Sequence, residues 1–326
     1  MTISLKKSNL ISIPGDASFR KFFRIIEKNG NSKILIKCKK EKYKNLILYS
    51  SINNYLRKNK ILAPKTFLKN FKKGYIIVED FGDLSFCNVL KKTKSKLKVY
   101  KKIIDFLLKI QKIKINKKII INSNRKYIFP HYNINNLHKE SDLFIDWYLP
   151  LIKKKSKKKF EIKYQLNKLY KKINFENKFF VHRDFHVSNL IKFKKKIAVI
   201  DSQDAMIGNP AYDLLSLIDD VRLVTSNKLK NKVYDYYMKR SSKIFNFNKK
   251  NFKIDFNILS VQRSLKIIGI FSRLYKRDGK RKYLKLIPYA WKLLENRYKD
   301  EIFKDLRSTL NKVAPLKIRK KLFYEN

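Results

Sequence analysis

Residues Phe179–Asp204 read FFVHRDFHVSNLIKFKKKIAVIDSQD, and this stretch constrains the chain more than any other. It holds His182-Arg183-Asp184, then Asn189 five positions after that aspartate, then Asp201 at the end of a short apolar run. A turn with this spacing brings Asp184 and Asn189 to one side of a loop. Asn189–Phe193 and Ile197–Ile200 can pair as a hairpin through the basic turn Lys194–Lys196, which returns Asp201 to the same place. Phosphoryl transfer uses such a set: one carboxylate orients the attacking hydroxyl, while a carboxylate and an amide hold magnesium on the nucleotide phosphates. A lone His-x-Asp carries little, since aspartates cap helices and open turns everywhere. Asp, Asn, hairpin and second Asp in that order is a much rarer conjunction. The spacing therefore predicts Asp184 as the base, in a loop shaped by His182 and Arg183, with Asn189 and Asp201 as metal ligands.

The chain before this stretch reads as a small sheet with one helix. Phe22–Glu27 and Lys33–Lys37 are β-branched and aromatic runs around Lys28-Asn29-Gly30-Asn31, and Asn-Gly predicts a hairpin turn with both central residues at positive φ. Upstream, Pro14-Gly15-Asp16-Ala17-Ser18 is a turn whose N–H groups could face an anion, which makes Gly15, Asp16 and Ser18 candidates for nucleotide phosphates. A plain β-turn reads equally well. Lys37 closes its strand where a phosphate-pairing lysine is placed, but the following helix, Tyr43–Lys58, has no glutamate in its body to hold it. Lys65–Asn70 and Tyr75–Val78 are two more strands. Glu79, Asp80 and Phe81 then leave the sheet as a connector whose main chain can read an adenine edge. The expected organisation is a nucleotide-binding lobe over 1–80, a hinge at 81–84 and a catalytic lobe over 85–326. Beyond Ser85 the periodicity is helical, over Leu97–Ile113, Asp142–Leu151, Phe160–Ile173, Ala211–Val224 and most of the remainder. Asp213 falls in the first turn of the Ala211 helix, where a carboxylate is favoured by the dipole.

Composition narrows the class. The formal net charge of +53 would ordinarily suggest nucleic acid or an anionic membrane surface. Lysine outnumbers arginine, however, and Lys, Asn and Ile are enriched together across the whole chain while Gly and Pro stand at 7 each. That is the signature of an AT-rich genome, so no specific nucleic-acid partner is expected. Cys38 and Cys87 lack metal-ligand spacing and read as reduced thiols. No run approaches a membrane span and the N-terminus shows no signal-peptide pattern, so a cytoplasmic protein with no membrane association is expected.

The order of elements, with H-R-D-x-x-x-x-N and a later Asp, resembles the protein-kinase-like aminoglycoside phosphotransferase superfamily. Within it, Gly15-Asp16-Ala17-Ser18-Phe19-Arg20, Val181–Leu190, Ile200–Leu217, Gln262–Leu274 and Arg277-Asp278-Gly279-Lys280 are similar to blocks of the bacterial cell-wall amino-sugar kinases. The resemblance implies a two-lobed α+β fold, with a small antiparallel sheet and one helix followed by a large helical lobe carrying the catalytic hairpin. It further implies ATP and Mg²⁺ as cofactors. The reaction implied is transfer of the γ-phosphate to the C1 hydroxyl of N-acetylmuramate or N-acetylglucosamine, a step of peptidoglycan recycling, by a monomer acting on a small sugar. Asp213 would brace the catalytic loop, and Gln203, Asp204, Trp147 and Arg273 are the substrate candidates. A choline, ethanolamine, homoserine or aminoglycoside kinase of the same fold is the alternative enzyme. A basic nucleic-acid-binding or scaffold protein on a kinase shell is the alternative of a different class.

Overall fold

A computed structural model of the chain describes residues 10–15, 20–39, 43–115, 118–121, 125–153, 157–174 and 178–320. Asp16 and Ser18 lie outside the described residues. In chain order the first elements are β1 (Leu10–Ile13), β2 (Lys21–Ile26), β3 (Ser32–Lys37), α1 (Tyr43–Lys58), β4 (Thr66–Asn70), β5 (Tyr75–Glu79), α2 (Phe86–Lys92), α3 (Lys96–Gln111), β6 (Lys118–Ile121) and β7 (Arg125–Ile128). Next come α4 (Ile134–Leu143), a π-helical turn (Phe144–Tyr148), α5 (Leu149–Leu151), α6 (Lys157–Tyr170), β8 (Phe179–Val181), β9 (Leu190–Phe193), β10 (Lys196–Val199) and β11 (Met206–Gly208). The chain ends in α7 (Ala211–Ile218), α8 (Asn227–Ser241), α9 (Lys249–Lys276), α10 (Ile287–Arg297), α11 (Lys304–Val313) and α12 (Leu316–Lys320). It divides into two compact units, residues 1–130 with 182–206, and residues 131–181 with 207–326.

The first unit is built on a five-stranded antiparallel sheet of order β1-β2-β3-β5-β4. Alternation along the strands sends Ile36, Ile76 and Val78 to the face where Leu46 and Tyr49 of α1 pack, and Leu35, Ile25 and Ile77 to the other. The hairpin between β2 and β3 forms, but its turn differs from the expected one. Only Gly30 has positive φ (79°), and Gly30 N–H donates to Glu27 O (2.9 Å) while Glu27 N–H donates to Asn31 O (2.8 Å). A longer loop ending in one left-handed glycine replaces the two-residue form. The β9–β10 hairpin also forms, in the register Leu190↔Val199 to Phe193↔Lys196. Main-chain bonds from Lys192 N to Leu84 O (2.8 Å) and from Val199 N to Leu62 O (2.9 Å) fasten it to the chain around the connector. Phe81 completes that junction against Ile191, Ala198 and the Phe193 ring, so residues 81–84 lie within the first unit. The antiparallel pair β6–β7 was not anticipated by the helical reading of residues past Ser85.

In the second unit, α9 is buried on most of its circumference, as the central helix of a helical assembly must be. Gly269 marks a tight crossing of α9: a Cβ there would stand 2.2 Å from the Leu143 carbonyl carbon. Backbone meets backbone at that point, where α4 gives way to the π-helical turn. Trp291 of α10 is buried beside it, its indole N–H donating to the Tyr148 hydroxyl (3.0 Å). Two helices depart from their sequence expectation by about two turns; α7 stops at Ile218, short of Val224, and α4 starts at Ile134, ahead of Asp142. Cys38 and Cys87 form no disulfide, and among the described residues no helix is long and apolar enough to cross a membrane.

Candidate active site

The catalytic stretch leaves β8 at His182, a fully buried imidazole whose pKa is lowered by desolvation against the raising influence of Asp184 and Asp201. It is therefore neutral, packing edge-on to Phe185 at 6.3 Å between centroids. Arg183 follows at φ +72°, a left-handed conformation that non-glycine residues adopt only when their surroundings enforce it. The Asp184 carbonyl accepts from His186 N–H (2.9 Å) and from Asn189 Nδ2 (3.0 Å), so Asn189 buttresses the loop that carries Asp184. Ile200 N–H donates to Asn189 O (3.0 Å). That bond sets Asp201, the next residue and also left-handed at φ +68°, beside Asn189. Asn189 thus bonds the main chain at Asp184 through its side chain and the segment entering Asp201 through its carbonyl.

Asp201 is gripped from the N-terminal sheet. Arg20 donates through Nη2 to Asp201 Oδ1 and through Nη1 to Gln203 Oε1 (3.0 Å). Its guanidinium carbon lies over the rings of Phe22 (5.5 Å) and Tyr49 (5.6 Å). Ser202 Oγ donates to Asn53 Oδ1 at 2.6 Å in a fully buried contact. Tyr49 and Asn53, one turn apart on α1, are therefore what that helix turns toward the Asp201–Gln203 segment. Burial pushes the Tyr49 hydroxyl up to about 12, so it stays protonated.

The donor set suits magnesium. Asn189 spends its amide nitrogen on the Asp184 carbonyl, leaving Oδ1 as the atom to meet a cation. The Asp201 side chain is one-third exposed. No cluster of three or more His, Cys, Asp or Glu occurs among the described residues. One carboxylate and one amide, with the remaining positions left to phosphate and water, is the arrangement a hard octahedral cation accepts.

At the connector, the acidic side chains have structural work. Glu79 Oε2 accepts from Arg57 Nη1 (3.0 Å) and Lys65 N–H (3.1 Å). Asp80 accepts from Arg24 Nε (2.5 Å), Ser32 Oγ (2.8 Å) and Gly82 N–H (2.7 Å). With Phe81 buried, only main-chain groups of this segment are left for a ligand. Lys37 is exposed, and its ammonium lies 5.8 Å from the Phe23 ring centroid, on the sheet face away from α1 and Asp201. Gly15 is described, with room for ordinary contact only: a Cβ there would meet Arg20 O at 3.4 Å. Gln203 is buried, its amide nitrogen donating to Asp204 Oδ2 (2.9 Å). Asp204 itself is exposed, and its carbonyl accepts from Arg183 Nη1 (3.2 Å). Nearby, the Tyr127 hydroxyl is raised in pKa by burial first and then by the Asp204 charge, with Arg183 opposing.

In the second unit, Asp213 is fully buried in the first turn of α7. Trp147 is half-buried in the π-helical turn. Arg273 is half-buried in the last turn of α9, its pKa lowered by desolvation and then by Arg277. Glu140 organises the interior: Oε2 accepts from the hydroxyls of Tyr132 and Tyr212 (3.2 Å) and from Gln262 Nε2 (3.1 Å), and Oε1 accepts from Lys266 Nζ (2.8 Å). Sequence reasoning singled out neither Arg20, Tyr49, Asn53 nor Tyr127 as site residues. Arg20 sits inside the Gly15–Arg20 block and was the one within reach of a motif argument.

The chain is 27% identical over 290 residues, 84% of its length and 80% of the relative's, to an N-acetylmuramate/N-acetylglucosamine kinase of Neisseria meningitidis. It is 25% identical over 295 residues to the protein of the same name in Pseudomonas aeruginosa, covering 88% of this chain and 83% of that one. Among solved structures, it shares its fold with an amicoumacin kinase bound to AMP-PNP and Ca²⁺ (TM-score 0.61, 11% identity, 89% of each chain). An ADP-bound aminoglycoside phosphotransferase is similar to the same degree (TM-score 0.58, 15% identity, 90% and 94% coverage). The protein-kinase-like α+β fold follows from these likenesses. The phosphotransferase enzyme family model matches residues 9–237, taking in the sheet, the connector, the catalytic loop and Asp201, and the chain belongs to that family.

Proposed function

We propose that this protein transfers the γ-phosphate of ATP to the anomeric C1 hydroxyl of N-acetylmuramate or N-acetylglucosamine. The product would be a sugar 1-phosphate that a uridylyltransferase consumes in peptidoglycan recycling. The observation that carries this reading is that four curated relatives, 24–27% identical over 82–88% of this chain, all bear the name of that amino-sugar kinase. The C-terminal block Gln262–Gly269, whose sequence resembles those kinases, serves the interior of the fold: Gln262 and Lys266 hold Glu140 and Gly269 admits the Leu143 backbone.

In this reading residues 1–80 serve the nucleotide, 81–84 connect, and 85–326 supply catalysis and the sugar site. Adenine meets the main chain of Glu79–Phe81. Asp201 and Asn189 would hold Mg²⁺, which would offset the negative charge of the phosphates. Asp184 accepts a hydrogen bond from the C1 hydroxyl. The new bond forms between that oxygen and Pγ, the bond from Pγ to the β–γ bridging oxygen breaks, and the hydroxyl proton passes to Asp184. Because the transition state is loose, Asp184 acts late, and its position matters more than its basicity. Asp213 would have the bracing role that the family resemblance implies. The enzyme acts as a cytoplasmic monomer.

The test is a panel of acceptors with ATP and Mg²⁺, read by ADP release and by ³¹P resonance of the product: both amino sugars, choline, ethanolamine, homoserine and an aminoglycoside. Turnover confined to the amino sugars, with phosphorus on C1, is expected. Asp184→Asn should lower kcat at least ~10²-fold, the scale of a lost general base. No turnover of either amino sugar by folded protein would overturn the acceptor assignment, and a wild-type rate in Asp184→Asn would overturn the base.

A further inference from the structure

Arg20 is an expensive residue. Its guanidinium is buried, with 5% of the side chain exposed, and burying a cation is costly unless it is paired and hydrogen-bonded. Here the fork is divided: one arm takes Gln203 and the other takes Oδ1 of the very carboxylate assigned to the metal. The rings of Phe22 and Tyr49 hold the guanidinium, so it approaches Asp201 from a fixed direction. Three other cations on this sheet are turned elsewhere. Lys37 lies on the opposite face over Phe23, Lys33 pairs with Glu27, and Arg24 pairs with Asp80 and Asp83. A guanidinium matches two acceptors at once in a rigid plane, which an ammonium on a flexible stem does not.

A clamp serving only to join two segments has no need to end on a metal ligand. Ending there, it does two opposed things. It fixes the carboxylate of a residue whose left-handed backbone needs support. It also places a positive charge against one oxygen of the group that must receive a divalent cation, and like charges so close repel strongly at reduced dielectric. Polyphosphate reverses that balance, because its negative charge attracts both the metal and the guanidinium. We propose that Arg20 is an internal counter-ion that makes metal loading at Asp201 conditional on nucleotide, holding the carboxylate ready while resisting a metal that arrives alone. This rests on the reading of Asn189 and Asp201 as the metal ligands of a nucleotide site.

The experiment measures a coupling, which must be reciprocal between the two ligands. Affinity for Mn²⁺ alone is taken from electron paramagnetic resonance, and affinity for a fluorescent ADP analogue is taken with and without saturating Mn²⁺. Wild type should bind Mn²⁺ alone weakly and ADP much more tightly with Mn²⁺ than without it. Arg20→Met should bind Mn²⁺ alone at least 10-fold more tightly than wild type does, yet bind Mn²⁺–ADP at least 10-fold more weakly. A residue with a structural role only would weaken both. Arg20→Lys, which keeps a charge but loses the fork, should fall between the two and supplies the answer if the methionine variant does not fold. A folded variant whose Mn²⁺ and Mn²⁺–ADP affinities both stay within twofold of wild type overturns the inference, as does a variant that loses both. Loss of Mn²⁺–ADP binding in Lys37→Met but not in the Arg20 variants would move the role to Lys37. A wild type that binds no ADP with or without Mn²⁺ would overturn the nucleotide site itself along with the role of Arg20.

Discussion

Glu140 offers the sharpest quantitative test of the second unit. Its carboxylate is surrounded by donors: two tyrosine hydroxyls, the Gln262 amide and the Lys266 ammonium. The Glu140 and Lys266 side chains are 9% and 14% exposed, so neither charge has water to fall back on. The Tyr132 hydroxyl is raised well above its ordinary pKa, by burial first and then by the Glu140 charge, so it stays protonated as a donor. Removing one partner of a buried pair leaves the other uncompensated and costs about 3–5 kcal/mol. Glu140→Gln should fall at the lower end, near ~3 kcal/mol, since the amide keeps one acceptor among the four donors. Lys266→Met should cost a similar amount, because three neutral donors still hold the carboxylate. The double variant should recover about 1–3 kcal/mol relative to the sum, the coupling of groups in direct contact. Both tryptophans, Trp147 and Trp291, lie in this unit, so urea unfolding followed by their fluorescence reports on it directly. Single costs that add to within ~0.5 kcal/mol in the double variant would show that the two side chains do not share a network, and would refute the argument.

Two further outcomes follow from neighbouring features. Gly269→Ala places a methyl against the Leu143 carbonyl where backbone cannot yield cheaply, so thermal unfolding should show a loss of about 2–3 kcal/mol or more; an unchanged midpoint would mean the crossing is looser than described. Asp219 is fully buried and bound by Arg297 Nε (2.9 Å) and Nη2 (3.0 Å), Lys230 Nζ (2.9 Å) and Ser260 Oγ (2.7 Å). Burial would raise its pKa, but Arg297 and then Lys230 outweigh it, and the folded pKa lies well below the ordinary carboxylate range. A depressed folded pKa contributes stability that is whole above about pH 4, where the unfolded aspartate is ionised, and that drains as pH falls toward the folded value. Asp219→Asn should therefore lose stability at neutral pH and show a shallower decline on acidification; parallel pH profiles for the two proteins would contradict this.

Much of the site was legible in the sequence because it depends on spacing along one loop and one hairpin. Asp184, Asn189 and Asp201 come together through local turns and a two-strand register, which residues 184–201 specify by themselves. Other parts depend on approach across the sheet. Arg20 reaches Asp201 over 181 positions, and Asn53 reaches Ser202 over 149, so no periodicity announces either contact. The same holds for the side-chain partners of Glu79 and Asp80: the sequence pointed to the main chain of this connector as ligand-facing, and nothing in it announced that Arg57, Arg24 and Ser32 occupy the side chains. The π-helical turn carries no signature of its own, because the residue that accompanies it, Gly269, lies on another helix. The β6–β7 pair escaped because its strands are four residues each, in the stretch between Ile113 and Asp142 to which no element was assigned. Lys37 illustrates the converse, a plausible strand-end position whose parity along β3 sends it to the far face.

The bonds on Asp80 bear on how the chain can bend. That carboxylate is 3% exposed and collects donors from β2, β3 and the main chain of Gly82, which makes the exit of β5 part of the sheet's rigid body up to residue 82. Helix α2 begins at Phe86, capped by Ser85. Any flexing of the connector is thus confined to the few peptide units in between, where Gly82 sits at φ +76° in open space and Leu84 is exposed. Across that interval the main-chain bond from Lys192 N to Leu84 O is joined by the Arg24–Asp83 pair, whose carboxylate side chain is 77% exposed. An exposed pair of this kind is worth at most about 1 kcal/mol, so thermal energy alone opens it often. The segment is pinned at both ends, by the Asp80 bonds where it leaves the strand and by β9 at Leu84 and Ser85, and only the Gly82–Asp83 turn between them is lightly held.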